Sequence, residues 1–460
     1  MSAPQGGIRL QSGSRAQFAP LSDWLGGGAT AASLAGGLIA ADRKGATPAA
    51  CLFVPGRVEL FGKHTDYAGG RSLLTATDRG MTLVVAPRAD GEAHWIDLGR
   101  GVETSFDLAA PGARVGEWSN YLRTVARRVA GDFRPFERGV DVAMVSNLPA
   151  AAGLSSSSAL VVAAFLTFEA ANPLGEDPGF RLSVSDLQDL AAYLGAAEGG
   201  APFRETGGGE GVGTFGGSED HVAIICSRSE HLRQVRFGPV ALDREVLMRP
   251  GWRLIVAGSG VHADKTGAAR GHFNRLAALA AEAAAAWSRA AKRRELHLGA
   301  ALAAAGDVET LLRGVADGCT GDSSEALTSR VRHFCVESED LVPAATAAVA
   351  SGDAEELGRL ARSSQELAER DLGNQVKETR GLVRLATECG ALAASAFGAG
   401  FGGAVWAIVE ADAECRFVDA WRRAYTAAFP ERQSKSVFFS TDVAGGARWL
   451  PPPGSEEERG

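Results

Sequence analysis

Residues 55–70 read PGRVELFGKHTDYAGG, which sets Arg57, Lys63, His64 and Asp66 within ten positions among four glycines. Cations, a carboxylate and a bendable backbone at such close range are what a phosphate-handling site needs. The guanidinium stays charged and can bridge two oxygens. Each residue also has an ordinary structural reading. Arg57 can sit in a surface ion pair, His64 can cap backbone beside a turn, and Asp66 can open an Asx-turn.

A second glycine-bearing stretch, LPAAAGLSSSSAL at 148–160, follows an apolar run ending at Pro149 and opens a helical pattern with four serines. Free N–H groups at such a helix start, with the dipole behind them, form an anion cradle. Serine hydroxyls there can bond phosphate oxygens or ligate Mg²⁺. The same serines also read as caps of a buried helix. A third stretch is FGAGFGGAV at 397–405. No GxxxxGK[ST] occurs, so the serine loop is not of the Walker type.

The elements that must position these residues alternate in texture. The runs ACLFVPGRVEL, GMTLVVAPR, DVAMVSNLP, EDHVAIICSR, HLRQVRF and WRLIVAGSG read as strands. SSSSALVVAAFLTFEAA reads as a helix, and SVSDLQDLAAYLGAAEGG as another, opened by a serine cap and closed by glycines 199–200. The stretch RETGGGEGVGTFGG at 204–217 is a loop by composition. After residue 265 the chain turns alanine-rich and helical, then returns to a strand (FGGAVWAIVE) and a helix (RFVDAWRRAYTAAF).

A chain of 460 residues is too long for one ordinary core, so two domains are expected. The net charge of -8, with no basic stripe, argues against nucleic acid as a partner, and an anion must be held by local cations. Six scattered cysteines without a C-x-x-C argue against a zinc site and for a reducing compartment. Neither a signal-type apolar core nor a window of about eighteen apolar residues occurs. The expectation is a cytoplasmic protein without a membrane partner.

In this order, the three glycine-bearing stretches resemble the GHMP kinase superfamily, and specifically its galactokinase branch. WSNY at 118–121, AAE at 196–198, GGSED at 216–220 and the helices around 330–341 and 357–371 are similar to that family as well. The resemblance implies an ATP-dependent sugar kinase acting on an anomeric hydroxyl, with ATP and Mg²⁺. Its implied catalytic residues are Arg57, steadying nucleophile and developing charge, and Asp220, accepting or orienting the hydroxyl proton. It implies sugar contacts from Lys63, His64, Asp66, Gly217 and Phe273, with Asp66 taking two adjacent hydroxyls. It implies a phosphate cradle from Ala151, Gly153, Leu154, Ser155, Ser156 and Ser157, and metal ligands at Ser157 and Glu198. The third stretch would let the second domain's backbone close on the first.

Several positions depart from the family's pattern. Lys63 stands where glutamate is usual, Glu59 where asparagine is usual, and Phe273 where tyrosine is usual. Ala151 replaces a glycine, and Glu219 and His221 replace an apolar residue and an amide. Lys63 admits two readings. It faces the sugar, which suits a uronic acid, or it pairs with Glu59 and galactose remains the substrate. Were Glu219 the base, strand alternation would point Asp220 away. A non-catalytic sugar and ATP sensor is the rival of another class, and its relatives tend to have damaged serine loops. A mevalonate- or homoserine-type kinase is disfavoured by the HTDY cluster.

The implied fold is α+β, a two-domain GHMP kinase fold. A ribosomal protein S5 domain 2-like domain would cover 51–245 and a ferredoxin-like domain 246–450. Residues 1–50 would form a partly disordered extension and 451–460 a frayed tail, in a monomer or weak homodimer.

Overall fold

The computed structural model describes residues 8–11, 13–26, 28–41, 43–149, 152–262, 268–319 and 324–455. Two sheets organise them. The first contains β1 (Ala19–Pro20), β2 (Pro48–Phe61), β3 (Arg71–Pro87), β4 (Glu92–Asp97), β5 (Val102–Asp107) and β6 (Val140–Ser146), in the order β1-β2-β3-β6-β4-β5. β4 and β6 run parallel and the other neighbours antiparallel. β7 (His231–Arg236) and β8 (Ala241–Leu247) extend the sheet beyond residues 71–74 of β3.

β2 is buried from Ala49 onward because each of its faces meets a core. Ala50, Leu52 and Val54 pack with α2 (Ser119–Asp132), α3 (Ser156–Ala171), α5 (Leu187–Gly199) and α6 (Glu219–Cys226). Ala49 and Cys51 face α1 (Ala29–Ala40). A strand covered on both faces reads as a continuous apolar run, which is what residues 50–54 are. The short α4 (Pro178–Ser183) precedes α5.

β9 (Trp252–Gly258), β10 (Ala393–Phe397), β11 (Ala404–Glu410) and β12 (Val437–Thr441) form the second, antiparallel sheet in the order β10-β11-β9-β12. Between β9 and β10 lie α7 (Ala268–Ala291), α8 (Leu298–Ala305), α9 (Val308–Gly318), α10 (Ser324–Cys335), α11 (Val342–Ser351), α12 (Ala354–Leu367) and α13 (Lys377–Glu388). α14 (Glu414–Ala428) connects β11 to β12. The result is a β-α-β-β-α-β, ferredoxin-like arrangement whose first crossover is expanded into a helical subdomain. β13 (Arg448–Leu450) then returns to pair with β2 in the first sheet.

The sheets are joined through a shared core in which the Trp406 indole donates to the Leu60 carbonyl at 3.1 Å and packs on Phe61. Full burial of an indole of this kind is worth about 3 kcal/mol.

Three readings differ from the sequence expectation. Residues 219–226 form helix α6, not a strand. Their side chains from His221 to Cys226 are all buried, and an apolar run enclosed on every side carries no period that separates helix from strand. The cap of α5 is Asp186, whose carboxylate accepts from the Asp189 N–H at 2.8 Å, while Ser183 ends α4. The N-terminal segment is packed where it is described: the Ile8 N–H donates to Glu169 at 3.2 Å and Leu10 is buried. Residues 1–7, 12 and 456–460, on which the expected disorder and fraying partly fall, lie outside the described residues.

Candidate active site

Alternation along β2 puts Arg57 and Glu59 on one face, pointing at the seam between the sheets. Arg57 is buried. Its Nε donates to Asp220 Oδ1 at 2.6 Å and its Nη1 to the Gly153 carbonyl at 2.6 Å. Burial opposes the guanidinium's charge, but Asp220, Glu219 and Glu59 outweigh it and raise its pKa. One permanent cation therefore ties the first turn of α6 to the serine loop.

The loop turns through Gly153 (φ 64°) and Ser155 (φ 57°) before α3 begins at Ser156. Left-handed backbone is cheap at glycine and strained at serine. The Ser155 hydroxyl is buried and meets no described partner. Gly153, Leu154, Ser155, Ser156 and Ser157 line one cavity, with Gly400, Gly402 and Gly403 of the third glycine-bearing stretch opposite. Ala151 lies outside the described residues.

A neighbouring cavity shares Arg57 and Ala399 with the first. Its lining includes Glu59, His64, Asp66, Glu198, Gly217, Glu219, Asp220 and Phe273. His64 Nε2 donates to the Ala399 carbonyl at 3.0 Å, which leaves Nδ1 to accept from the Tyr67 hydroxyl at 2.7 Å. Phe273 from α7 packs against both rings. Gly217 is required by close approach, since a Cβ there would lie 2.3 Å from Asp66 Oδ2. Asp220 Oδ2 also takes the Ser158 hydroxyl at 3.3 Å. In helix α6, Glu219 and Asp220 need not point to opposite sides, and both line this cavity.

Lys63 is the correction. It is not among the cavity-lining residues. Gly62 (φ 111°) turns the chain after β2, so the strand's parity no longer applies. The Lys63 ammonium is buried and donates to Ser364 Oγ at 2.6 Å, and Ser364 in turn donates to Glu337 at 2.8 Å. Nor is it in direct contact with Glu59, although its charge pulls the Glu59 pKa down. The residue that reaches the cavity is Glu59, visible in hindsight from its i+2 spacing to Arg57. Ser158 was also missed, because four consecutive serines give no signal of which one faces α6.

The two residues expected to hold a metal line different cavities: Ser157 the serine-loop cavity and Glu198 its neighbour. Glu198 Oε2 is buried and stands 3.0 Å from His221 Nε2 without an aligned hydrogen bond.

Residues 120–203 match the GHMP kinases N terminal domain and residues 345–427 the GHMP kinases C terminal. Residues 42–87 match the galactokinase galactose-binding signature. The chain is 28% identical to a galactokinase of Chloroflexus aggregans over 390 residues, covering 83% of this chain and 89% of that one. It is 29% identical to a galactokinase of Chloroflexus aurantiacus over 375 residues, covering 80% and 85%. In fold it resembles Lactococcus lactis galactokinase complexed with galactose (TM-score 0.70, 23% identity, 87% of this chain and 95% of that chain). It also resembles L. major mevalonate kinase in complex with R-mevalonate (TM-score 0.52, 16% identity, 85% and 95%). Two sheets of this topology, meeting at a serine loop, define a GHMP kinase: a phosphotransferase with an alcohol group as acceptor. Within that superfamily the chain belongs to the galactokinase family.

Proposed function

We propose that this chain is an ATP-dependent sugar 1-kinase, transferring the γ-phosphoryl group of ATP to the anomeric hydroxyl of galactose or a related aldose. The observation that carries this reading is the bridge made by Arg57. Its guanidinium bonds Asp220 in one cavity and the serine-loop backbone in the other, so acceptor side and phosphate side meet on one cation.

In the reaction, the anomeric oxygen forms a bond to the γ-phosphorus while the bond from that phosphorus to the β–γ bridging oxygen breaks, releasing ADP. The hydroxyl proton passes to the Asp220 carboxylate. Arg57 offsets charge developing on the transferring group, which in a loose transition state is most of what a protein can supply. His64, Asp66 and Phe273 orient the sugar, and Gly153 to Ser157 hold the phosphates. Glu198, with a buried oxygen that accepts no aligned hydrogen bond, and the Ser157 hydroxyl suit a hard divalent cation. Bound there, Mg²⁺ would neutralise phosphate charge. Small-molecule sugar and ATP are then the partners.

The uronate reading rested on Lys63 facing the acceptor, and its ammonium is engaged with Ser364 instead. Among the described residues, Arg57 is the one permanently charged cation lining the acceptor cavity, against five carboxylates, which disfavours an acidic sugar. The sensor reading is disfavoured by the intact serine loop and by the Arg57–Asp220 pair.

The test is ADP release by purified protein given ATP, Mg²⁺ and a panel of aldoses and uronates. The expected result is turnover with neutral aldoses of galactose type. Sugar-dependent ATP binding without ADP release would instead make the chain a sensor.

A further inference from the structure

The loop between β10 and β11 forms the wall that the two cavities share. Ala399 lines both, and Gly400, Gly402 and Gly403 line the serine-loop cavity. Gly398, Gly400, Phe401, Gly402 and Gly403 all have positive φ, and Phe401, at 58°, bears the strain that glycine escapes. Backbone of this kind persists where its surroundings over-determine it. The chain of β2 and the turn after it supply two of the bonds that hold it. Glu59 Oε2 accepts the Gly398 N–H at 3.2 Å, and His64 Nε2 donates to the Ala399 carbonyl at 3.0 Å. Both side chains line the acceptor cavity. Asn374 Nδ2 reaches the same Ala399 carbonyl at 3.4 Å.

We propose that Tyr67 and Arg330 are positioning residues that make His64 a latch between the acceptor and phosphate sides, so that sugar and ATP bind cooperatively. The inference rests on the sugar-kinase reading above. A carbonyl only accepts, so the latch needs a proton on His64 Nε2. Which nitrogen carries the proton is set by the partner of the other. Nδ1 lies 2.7 Å from the Tyr67 hydroxyl, and Arg330 Nη2 donates to that hydroxyl at 3.5 Å. A hydroxyl that receives a guanidinium proton turns its own toward the imidazole. Arg330 is buried, donates also to the His64 carbonyl, and lies 5.6 Å from the Tyr67 ring centre. Donation thus runs from Arg330 in α10 to Tyr67, to His64 and onto the loop at Ala399. A sugar seated against His64, Tyr67 and Phe273 excludes water from the His64–Ala399 bond and fixes the ring that makes it. The loop is then set before the nucleotide enters, and the linkage is reciprocal.

Titration calorimetry on the full chain tests this with galactose and the non-hydrolysable analogue β,γ-imido ATP with Mg²⁺, each titrated alone and with the other saturating. The wild type should bind the analogue about tenfold tighter with galactose present, and galactose tighter by the same factor. Tyr67→Phe removes the donor to Nδ1 and should bring that factor below about threefold. His64→Leu should do the same, while His64→Gln, which keeps an N–H donor, should retain more of the factor than His64→Leu. A merely structural loss would weaken each ligand alone and leave the factor unchanged. Thermal denaturation checks folding, and His64→Leu carries the test should Tyr67→Phe not fold. A factor near one in the wild type, or an undiminished factor in Tyr67→Phe and His64→Leu, overturns the inference. The sugar-kinase reading then still stands if galactose yields ADP. Absence of galactose binding, with no ADP released from any aldose, overturns both.

Discussion

Asp220 is held at both oxygens: Oδ1 by the Arg57 guanidinium at 2.6 Å and Oδ2 by the Ser158 hydroxyl at 3.3 Å. Its position is thus set jointly by β2, α3 and α6. Replacing it with asparagine keeps the shape and removes the proton acceptor. Asp220→Asn should lower kcat about a hundredfold or more and leave ATP affinity nearly unchanged, as read from steady-state kinetics and nucleotide titration. Unchanged turnover would mean that the base lies elsewhere.

Arg57 bonds in two directions at once, to a carboxylate and to a loop carbonyl. Lysine carries the charge but not the planar fork. Arg57→Lys should therefore cost about a hundredfold in kcat, with the circular dichroism spectrum retained. A loss under about threefold would make point charge at this position sufficient and the bridge dispensable.

Lys63 should behave as a structural residue. Lys63→Glu removes the donor to Ser364 and sets a second carboxylate beside Glu337 in a buried network. The expected cost is about 3–5 kcal/mol of stability, seen as a lower melting temperature, with little change in relative preference among sugars. A shift in preference at unchanged stability would put Lys63 in contact with the acceptor after all.

These three cases show what the sequence made legible. Arg57 and Asp220 stand 163 positions apart and could be paired only by resemblance to a family, since no local pattern joins them. Strand β2 and the serine-opened helix α3 were readable because their burial follows directly from apolar runs. Lys63 was misplaced because Gly62 breaks strand parity, and the Ser364–Glu337 network that claims it is about 275–300 positions away. Helix α6 was hidden by an apolar run long enough for either structure.

Glu169 supplies a pH dependence of stability away from the site. Burial raises its carboxyl from 4.5 to about 7, against hydrogen bonds from the Ile8 and Leu174 backbone. Between those values the folded chain keeps a proton that the unfolded chain has released. Its contribution therefore falls as pH rises through that window and is flat above it, a change of about 3 kcal/mol. Glu169→Gln should flatten this part of the slope in denaturant melts from pH 4.5 to pH 8. An unaltered slope would mean that Glu169 titrates normally.

The most direct measurement is phosphorus NMR of the product formed from ATP, Mg²⁺ and an aldose of galactose type. A sugar 1-phosphate resonance coupled to the anomeric proton, appearing with ADP and growing about a hundredfold more slowly with the Asp220→Asn variant, is the expected result. Phosphate attached at any other carbon, or ADP formed with inorganic phosphate alone, would contradict the account.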